Sequence, residues 1–140
     1  MEFKQLDVSY LDDLVALAEL LNPNLKESVL RERQRDMFNY EAYRCFGLFE
    51  NDELIAISAG WLTVRWYSGK QLEVDNVVVD PRMRSKGIGS KLFEHIHQWA
   101  KENDCLTVEL NAYVTNPRAH KFYYNEGYKV LGFHFQKEME

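Results

Sequence analysis

The residues best suited to chemistry lie in one run, Arg82-Met83-Arg84-Ser85-Lys86-Gly87-Ile88-Gly89-Ser90-Lys91, which is rich in cations and holds no acidic side chain. It follows an apolar strand pattern, Val77-Val78-Val79, and an Asp80-Pro81 turn, and it opens a segment with helical spacing. The first N–H groups of a helix lack intrahelical acceptors, and the aligned peptide dipoles add about half a positive charge there. Phosphate is an anion that such an end holds well. Gly87 and Gly89 would clear side chains from the backbone, and Arg84 and Lys86 would add charge-assisted contacts. The plainer alternative is a glycine turn with solvated cations. No GxxxxGK[ST] string occurs, which argues against nucleotide hydrolysis. A dinucleotide-binding loop would need glycine in place of Leu92 and its first glycine directly after the strand, whereas seven residues separate Val79 from Gly87.

Other reactive side chains form no comparable pattern. Cys45 and Cys105 are the only cysteines and read as small buried apolar residues, with no activating context for an acyl-carrying thiol. His95, His97, His120 and His134 lack metal-ligand spacing, so no metal is expected. Trp61, Trp66 and Tyr67, with Phe38, Tyr40 and Tyr43, would line a substrate cleft or belong to core and rim.

The elements that must position these residues follow from periodicity. With 140 residues, 46% hydrophobic and 28% charged, the chain is expected to form a single domain over residues 1–140. No apolar run or signal pattern points to a membrane or to export, which predicts a cytoplasmic protein. Seventeen Lys and Arg against twenty-two Asp and Glu leave a net charge of −5, the wrong sign for a nucleic-acid binder and compatible with cationic partners. Ser9 and Asp12 suggest the cap of a first helix carrying Leu11, Leu14, Val15, Ala18 and Leu21 on one face. Asn24 and Glu27 suggest the cap of a second, polar helix to about Phe38. Strands are predicted from Cys45 to Phe49, Leu54 to Arg65 and Gln71 to Val79, with turns at Asn51-Asp52 and Ser68-Gly69. The third, ending in three valines, is expected to be central. A helix from Ile88 to Asn103 shows Ile88, Leu92, Ile96, Trp99 and Ala100 on one face, and a strand from Thr107 to Ala112 follows. Asn116-Pro117 starts a short helix that ends at Gly127, and Tyr128 to Lys137 reads as a closing strand. The order predicts an α/β (α+β) fold, a mixed sheet with helices on both faces.

Two blocks carry a family resemblance. Arg84-Ser85-Lys86-Gly87-Ile88-Gly89 resembles the [QR]xxGx[GA] acyl-CoA signature of the GNAT acetyltransferase superfamily, and Val77-Val78-Val79-Asp80-Pro81 is similar to the strand that leads into it. The segment from Asn116-Pro117-Arg118-Ala119 through Phe122-Tyr123-Tyr124 to Gly127-Tyr128 is similar to the family's later motif, in which an Asn, an Ala, a Phe-Tyr pair and a Gly-aromatic pair recur at these spacings. The match covers residues 71 to 128; residues 1 to 70 agree in element order only. Two positions depart: Ser85 stands where many relatives have glycine, and Tyr128 replaces a common Phe, which would leave its hydroxyl at a surface or substrate rim.

The resemblance implies a GNAT-like, mainly antiparallel sheet and transfer of acetyl from acetyl-CoA, as cosubstrate, to a primary amine of a small molecule or peptide by direct attack in a ternary complex. Backbone N–H groups of Arg84, Ser85, Lys86, Gly87, Ile88, Gly89 and Ser90 would receive the pyrophosphate. The strand Val77, Val78 and Val79 would line the pantetheine arm, with the Val77 N–H polarising the thioester carbonyl. Asn116 would touch the same arm, a role compatible with capping its helix. Tyr123 matches the position of the general acid that protonates the departing thiolate; Tyr124 does not. A protonated amine must lose a proton before attack, and Glu73 matches the base position of some relatives, with Asp75 as second candidate. Strand alternation would place Glu73, Asp75, Val77 and Val79 on one face. Glu73 as an ordinary solvent-facing acid is an equally consistent reading. The expected partners are acetyl-CoA and an amine acceptor, without nucleic acid or membrane, and a homodimer is left open. A noncatalytic acyl-CoA-binding regulatory module is the competing function, and a phosphate-binding domain unrelated to CoA is a third.

Overall fold

The computed structural model describes residues 1–84 and 86–140. A short strand, β1 (Glu2–Gln5), comes first and lacks any apolar period of its own; it exists by antiparallel pairing with β2 (Tyr43–Glu50). Between them the Asp7 carboxylate accepts from the Ser9 N–H at 2.9 Å and starts a 3-10 turn, Val8–Tyr10, that runs into helix α1 (Leu11–Leu21). The expected Ser9 cap is therefore replaced by Asp7, which also accepts from the Ser9 hydroxyl. Helix α1 buries Leu11, Leu14, Val15 and Leu17, while Leu21, expected inside, lies at the helix end and is 47% exposed. Helix α2 (Glu27–Phe38) starts at Lys26 without a side-chain cap, because a turn closed by Leu25 N–H on Asn22 O takes up Asn24. It buries only Leu30 and is tied to α1 by Arg31, which bridges Asp12 and Glu27.

The meander continues through β3 (Glu53–Arg65) and β4 (Gly69–Val79), with Asn51 and Asp52 at φ 49° and 63° in the first turn. Helix α3 (Ile88–Glu102) then crosses over to β5 (Thr107–Leu110), which lies parallel to β4, the arrangement that requires such a crossover. Helix α4 (Pro117–Asn125) follows. The sheet order is β1-β2-β3-β4-β5, antiparallel except at the last pair, with helices on both faces as expected. Its central strand is β3 rather than β4. Leu54 to Gly60 are all buried, whereas β4 has β5 beside it only from Gln71 to Val74.

Two cores sandwich the sheet. On the α1 side Leu14, Leu17, Tyr43, Ile57, Ala59 and Val78 pack together. On the α3 side Phe46, Leu48, Leu72, Val74 and the stripe Ile88-Leu92-Ile96-Ala100 do so, joined by Phe93, one position off the expected stripe. The segment from Tyr128 to Lys137, expected as a closing strand, is in no sheet: residues 129–140 make no hydrogen bond among the described residues. No helix of the described residues is long and apolar enough to cross a membrane.

Candidate active site

The strand-to-helix loop is held by its first residues. Asp80 is buried, its carboxylate accepts from the Arg82 N–H at 2.9 Å, and the Arg82 guanidinium donates to it at 2.7 Å while also bridging Glu53. Those contacts hold the Asp80 carboxyl below the ordinary carboxylate range. Arg82 is thereby committed to the scaffold, which leaves Arg84 and Lys86 as exposed loop cations without an acidic partner among the described residues. Gly87 is the N-cap of α3 at φ 72°, left-handed backbone that side chains other than glycine disfavour; a Cβ there would meet nothing within 4 Å. Gly89 is needed for a different reason. A Cβ on it would stand 3.2 Å from the Phe122 ring of α4, so this glycine lets α4 close on the start of α3. Among the described residues no side chain caps α3, and its first turn has no acid, so its leading N–H groups form a positive end.

A groove of about 490 Å³ opens on that end. Val77 and Val79 form one wall; Arg84, Gly87, Ile88, Gly89 and Ser90 form the floor; Asn116 and Tyr123 form the other wall. Met83, Arg118, Ala119 and Phe122 also line it. Of these, Arg118 is the added cation, and its place in the first turn after the Asn116-Pro117 cap was the signal that could have found it. The Asn116 side chain accepts from Ala119 N–H at 3.2 Å, so the capping role is present at the groove wall. Tyr123 packs against Phe93, with centroids 5.8 Å apart, and its hydroxyl has no hydrogen-bond partner among the described residues. Burial pushes that hydroxyl above the usual tyrosine value, so it holds its proton at neutral pH. Tyr124 is exposed. Tyr128 does not reach a rim: its hydroxyl lies 2.7 Å from His97 Nε2 on α3, in the half-buried aromatic cluster behind Tyr123.

Several expected residues lie elsewhere. Val78 points into the opposite core, Lys86 is exposed outside the groove lining, and Ser85 falls outside the described residues. The expectation that Glu73, Asp75, Val77 and Val79 share a face is overturned by a bulge. Asp75 is opposite Ala59 on β3 but Val78 is opposite Ile57, so β4 has one extra residue there, and Asn76 takes φ 53°. The extra residue reverses the alternation. Glu73 and Asp75 consequently belong to the α1 side with Ala59 and Trp61, while Val77 and Val79 pack on the α3 side. Glu73 accepts from Asn111 at 3.2 Å and stands 3.5 Å from Arg65, beside Glu109 in register. Tyr43 and Tyr40 pack against Trp61 on this side, tilted at 4.8 Å and edge-on at 5.8 Å between ring centroids, whereas Trp66 is fully exposed and Tyr67 donates to Glu109. Because β4 outruns β5 beyond Val74 and Leu110, the sheet is open between the groove and these carboxylates.

Neither thiol lines the groove. Cys45 is 3% exposed and burial pushes its thiol up to about 12; Cys105 is shifted upward by the same cause. No cluster of His, Cys, Asp and Glu among the described residues is arranged to hold a metal.

Comparison with known proteins matches residues 14–128 to the acetyltransferase (GNAT) family. An uncharacterized N-acetyltransferase of Bacillus subtilis is 29% identical over 98 residues, 69% of each chain. An aminoglycoside N(6')-acetyltransferase type 1 of Acinetobacter genomosp. 13 is 24% identical over 138 residues, 96% of this chain and 91% of that one. Among solved structures, an aminoglycoside N-acetyltransferase in complex with CoA superposes with a TM-score of 0.85 at 13% identity, over 99% of this chain and 93% of the other, a likeness of fold.

Proposed function

The chain belongs to the acetyltransferase (GNAT) family, and on that premise we propose that it transfers the acetyl group of acetyl-CoA to a primary amine by direct attack while both substrates are bound. One observation carries this above others: a helix N-terminus without a side-chain cap, the open end of a strand and a protonated phenol, neither cap nor phenol partner being present among the described residues, line the same groove. The residues present fit a pyrophosphate, since Gly87 turns the chain without a side chain and Arg84 and Arg118 flank the free N–H groups. Acetyl-CoA, when bound, supplies the acetyl group activated as a thioester.

Around it each residue has a task. The leading N–H groups of α3 anchor the phosphates, and Val77, which lies outside the β3 register at the bulge, offers its N–H to the carbonyl oxygen. Tyr123 gives its proton to the sulfur as the C–S bond breaks and the amine nitrogen bonds to the carbonyl carbon. The proton lost by the amine leaves toward Glu73 or Asp75, directly or through water. Because these carboxylates lie on the α1 side, the acceptor enters there, next to Trp61 and Tyr43. That face favours a cationic amine, and an aminoglycoside, the acceptor class in the name of the full-length relative, suits it.

Thiol release from acetyl-CoA with a panel of amines, aminoglycosides included, tests the proposal. Amine-dependent release is expected; CoA binding with no release on any amine leaves the noncatalytic acyl-CoA module instead. CoA at a hundredfold excess over its dissociation constant should stabilise the fold by about 2.7 kcal/mol, which raises Tm by roughly 5–10 °C. An unchanged Tm removes CoA binding altogether.

A further inference from the structure

We propose that His97 and Tyr128 form a clamp that fixes the position of Tyr123 in the groove. The inference rests on the acetyl transfer proposed above, in which Tyr123 is the proton donor, and it gives a task to two residues which that reaction does not touch.

Helix α4 needs such a clamp. It has nine residues and buries none of them fully, so packing alone seats it weakly on α3. The half-buried rings of Phe122, Tyr123 and Tyr128 rest on one face of α3, where Gly89, Phe93 and His97 recur every four residues. Phe122 covers Gly89, Tyr123 packs on Phe93 with centroids 5.8 Å apart, and Tyr128 reaches His97. The first two contacts are apolar and set no direction. The third does: the Tyr128 hydroxyl lies 2.7 Å from His97 Nε2, the one side-chain hydrogen bond between α3 and residues 117–128 among the described residues. Burial raises the phenol above its ordinary value, and it outweighs the Glu126 carboxylate to hold the imidazole below its own. Both groups are then uncharged at neutral pH, a matched donor and acceptor.

Tyr128 is coupled to Tyr123 through the backbone. Gly127, at φ 94°, turns the chain at the end of α4; Tyr128 N–H donates to Tyr123 O at 3.0 Å and Gly127 N–H to Tyr124 O at 3.1 Å, a Schellman turn. The residue that holds α3 is thus bonded to the residue that carries the proton donor, and their rings pack with 5.9 Å between centroids. A phenol that must meet a sulfur atom depends on such placement, because a misplacement of about 1 Å can cost on the order of 10²-fold in rate. His97 follows Ile88 by nine residues, so roughly 13 Å of helix separates the clamp from the N–H groups at the start of α3. It bears on the acid and not on the phosphate anchor.

Steady-state kinetics and tyrosine NMR of full-length variants test the clamp. Tyr128→Phe and His97→Leu each remove the bond; either should lower kcat roughly tenfold with CoA affinity within about twofold of the parent. The double variant should lose no more than either single one. His97→Gln, whose amide can still bond the phenol, should keep kcat within about threefold of the parent. The NMR signal of the Tyr123 Cζ carbon should shift or broaden in Tyr128→Phe and His97→Leu and stay in place in His97→Gln. Parent-like kcat in Tyr128→Phe, multiplicative losses in the double variant, or equal losses of kcat and CoA affinity overturn the clamp. Where the parent chain releases no thiol with any amine, the acetyl-transfer reading falls by itself and the Tyr123 signal decides the clamp: unmoved in both bond-breaking variants, it overturns it.

Discussion

Gly87 and Gly89 stand two residues apart and are glycine for unrelated reasons, one for its dihedral and the other for the ring beside it. Gly87→Ala meets no neighbour, so its cost is conformational, about 1–2 kcal/mol in urea unfolding, with weaker CoA binding as the turn shifts. Tyr123 packs among aromatic rings that Phe would also satisfy, so Tyr123→Phe removes only the hydroxyl, the group proposed to protonate the thiolate. Steady-state kinetics should show kcat lowered on the order of 10²-fold with acetyl-CoA affinity unchanged. Asp80 belongs to the scaffold. Its folded value lies below the unfolded ~3.9, so the stabilisation it contributes is present above that value and disappears as pH falls through the folded one. Asp80→Asn, which loses the charge-assisted bonds to Arg82, should therefore cost roughly 1–2 kcal/mol at neutral pH, and the gap to the parent protein should close as pH falls through the folded value in acid titrations of stability. At this scale the sequence was readable where role follows from type: Gly87, Asn116 and Tyr123 reach the expected groove. The capping of the first helix was not, since Asp7 and Ser9 are both capping types two residues apart, and the chain turns at the first of them, with the Asp7 carboxylate on the Ser9 N–H.

Helix α3 was legible from its stripe, and so was the meander, because turns and period-2 runs are local. The bulge was not. Glu73 to Val79 reads as an unbroken strand, and the only local sign of the extra residue is an Asn, the residue type that tolerates left-handed backbone. Position 76 is thus open to test: Asn76→Gly should leave stability and activity near the parent level, whereas Asn76→Val, β-branched at φ 53°, should lose about 1–3 kcal/mol in urea unfolding. β1 escaped notice because it has no apolar period and is held by β2 alone. The segment from Tyr128 to Lys137 shows the converse: its period was visible, but it pairs with no strand among the described residues, and a period alone supplies no partner.

At the scale of the whole molecule the charge of −5 is unevenly spread, with Arg84 and Arg118 lining one groove and Glu73, Asp75 and Glu109 across the sheet from it. In the proposed mechanism the bulge in β4 makes the sheet a partition, with acetyl-CoA on one side and the amine on the other. Two visitors that arrive through opposite doors do not queue. Either can come first, so initial-rate plots against both substrates should intersect, and a dead-end thioether of CoA should compete with acetyl-CoA while inhibiting noncompetitively toward the amine. Parallel lines would mean that the acetyl group rests on the protein between visits, and competition with the amine would mean that the partition leaks.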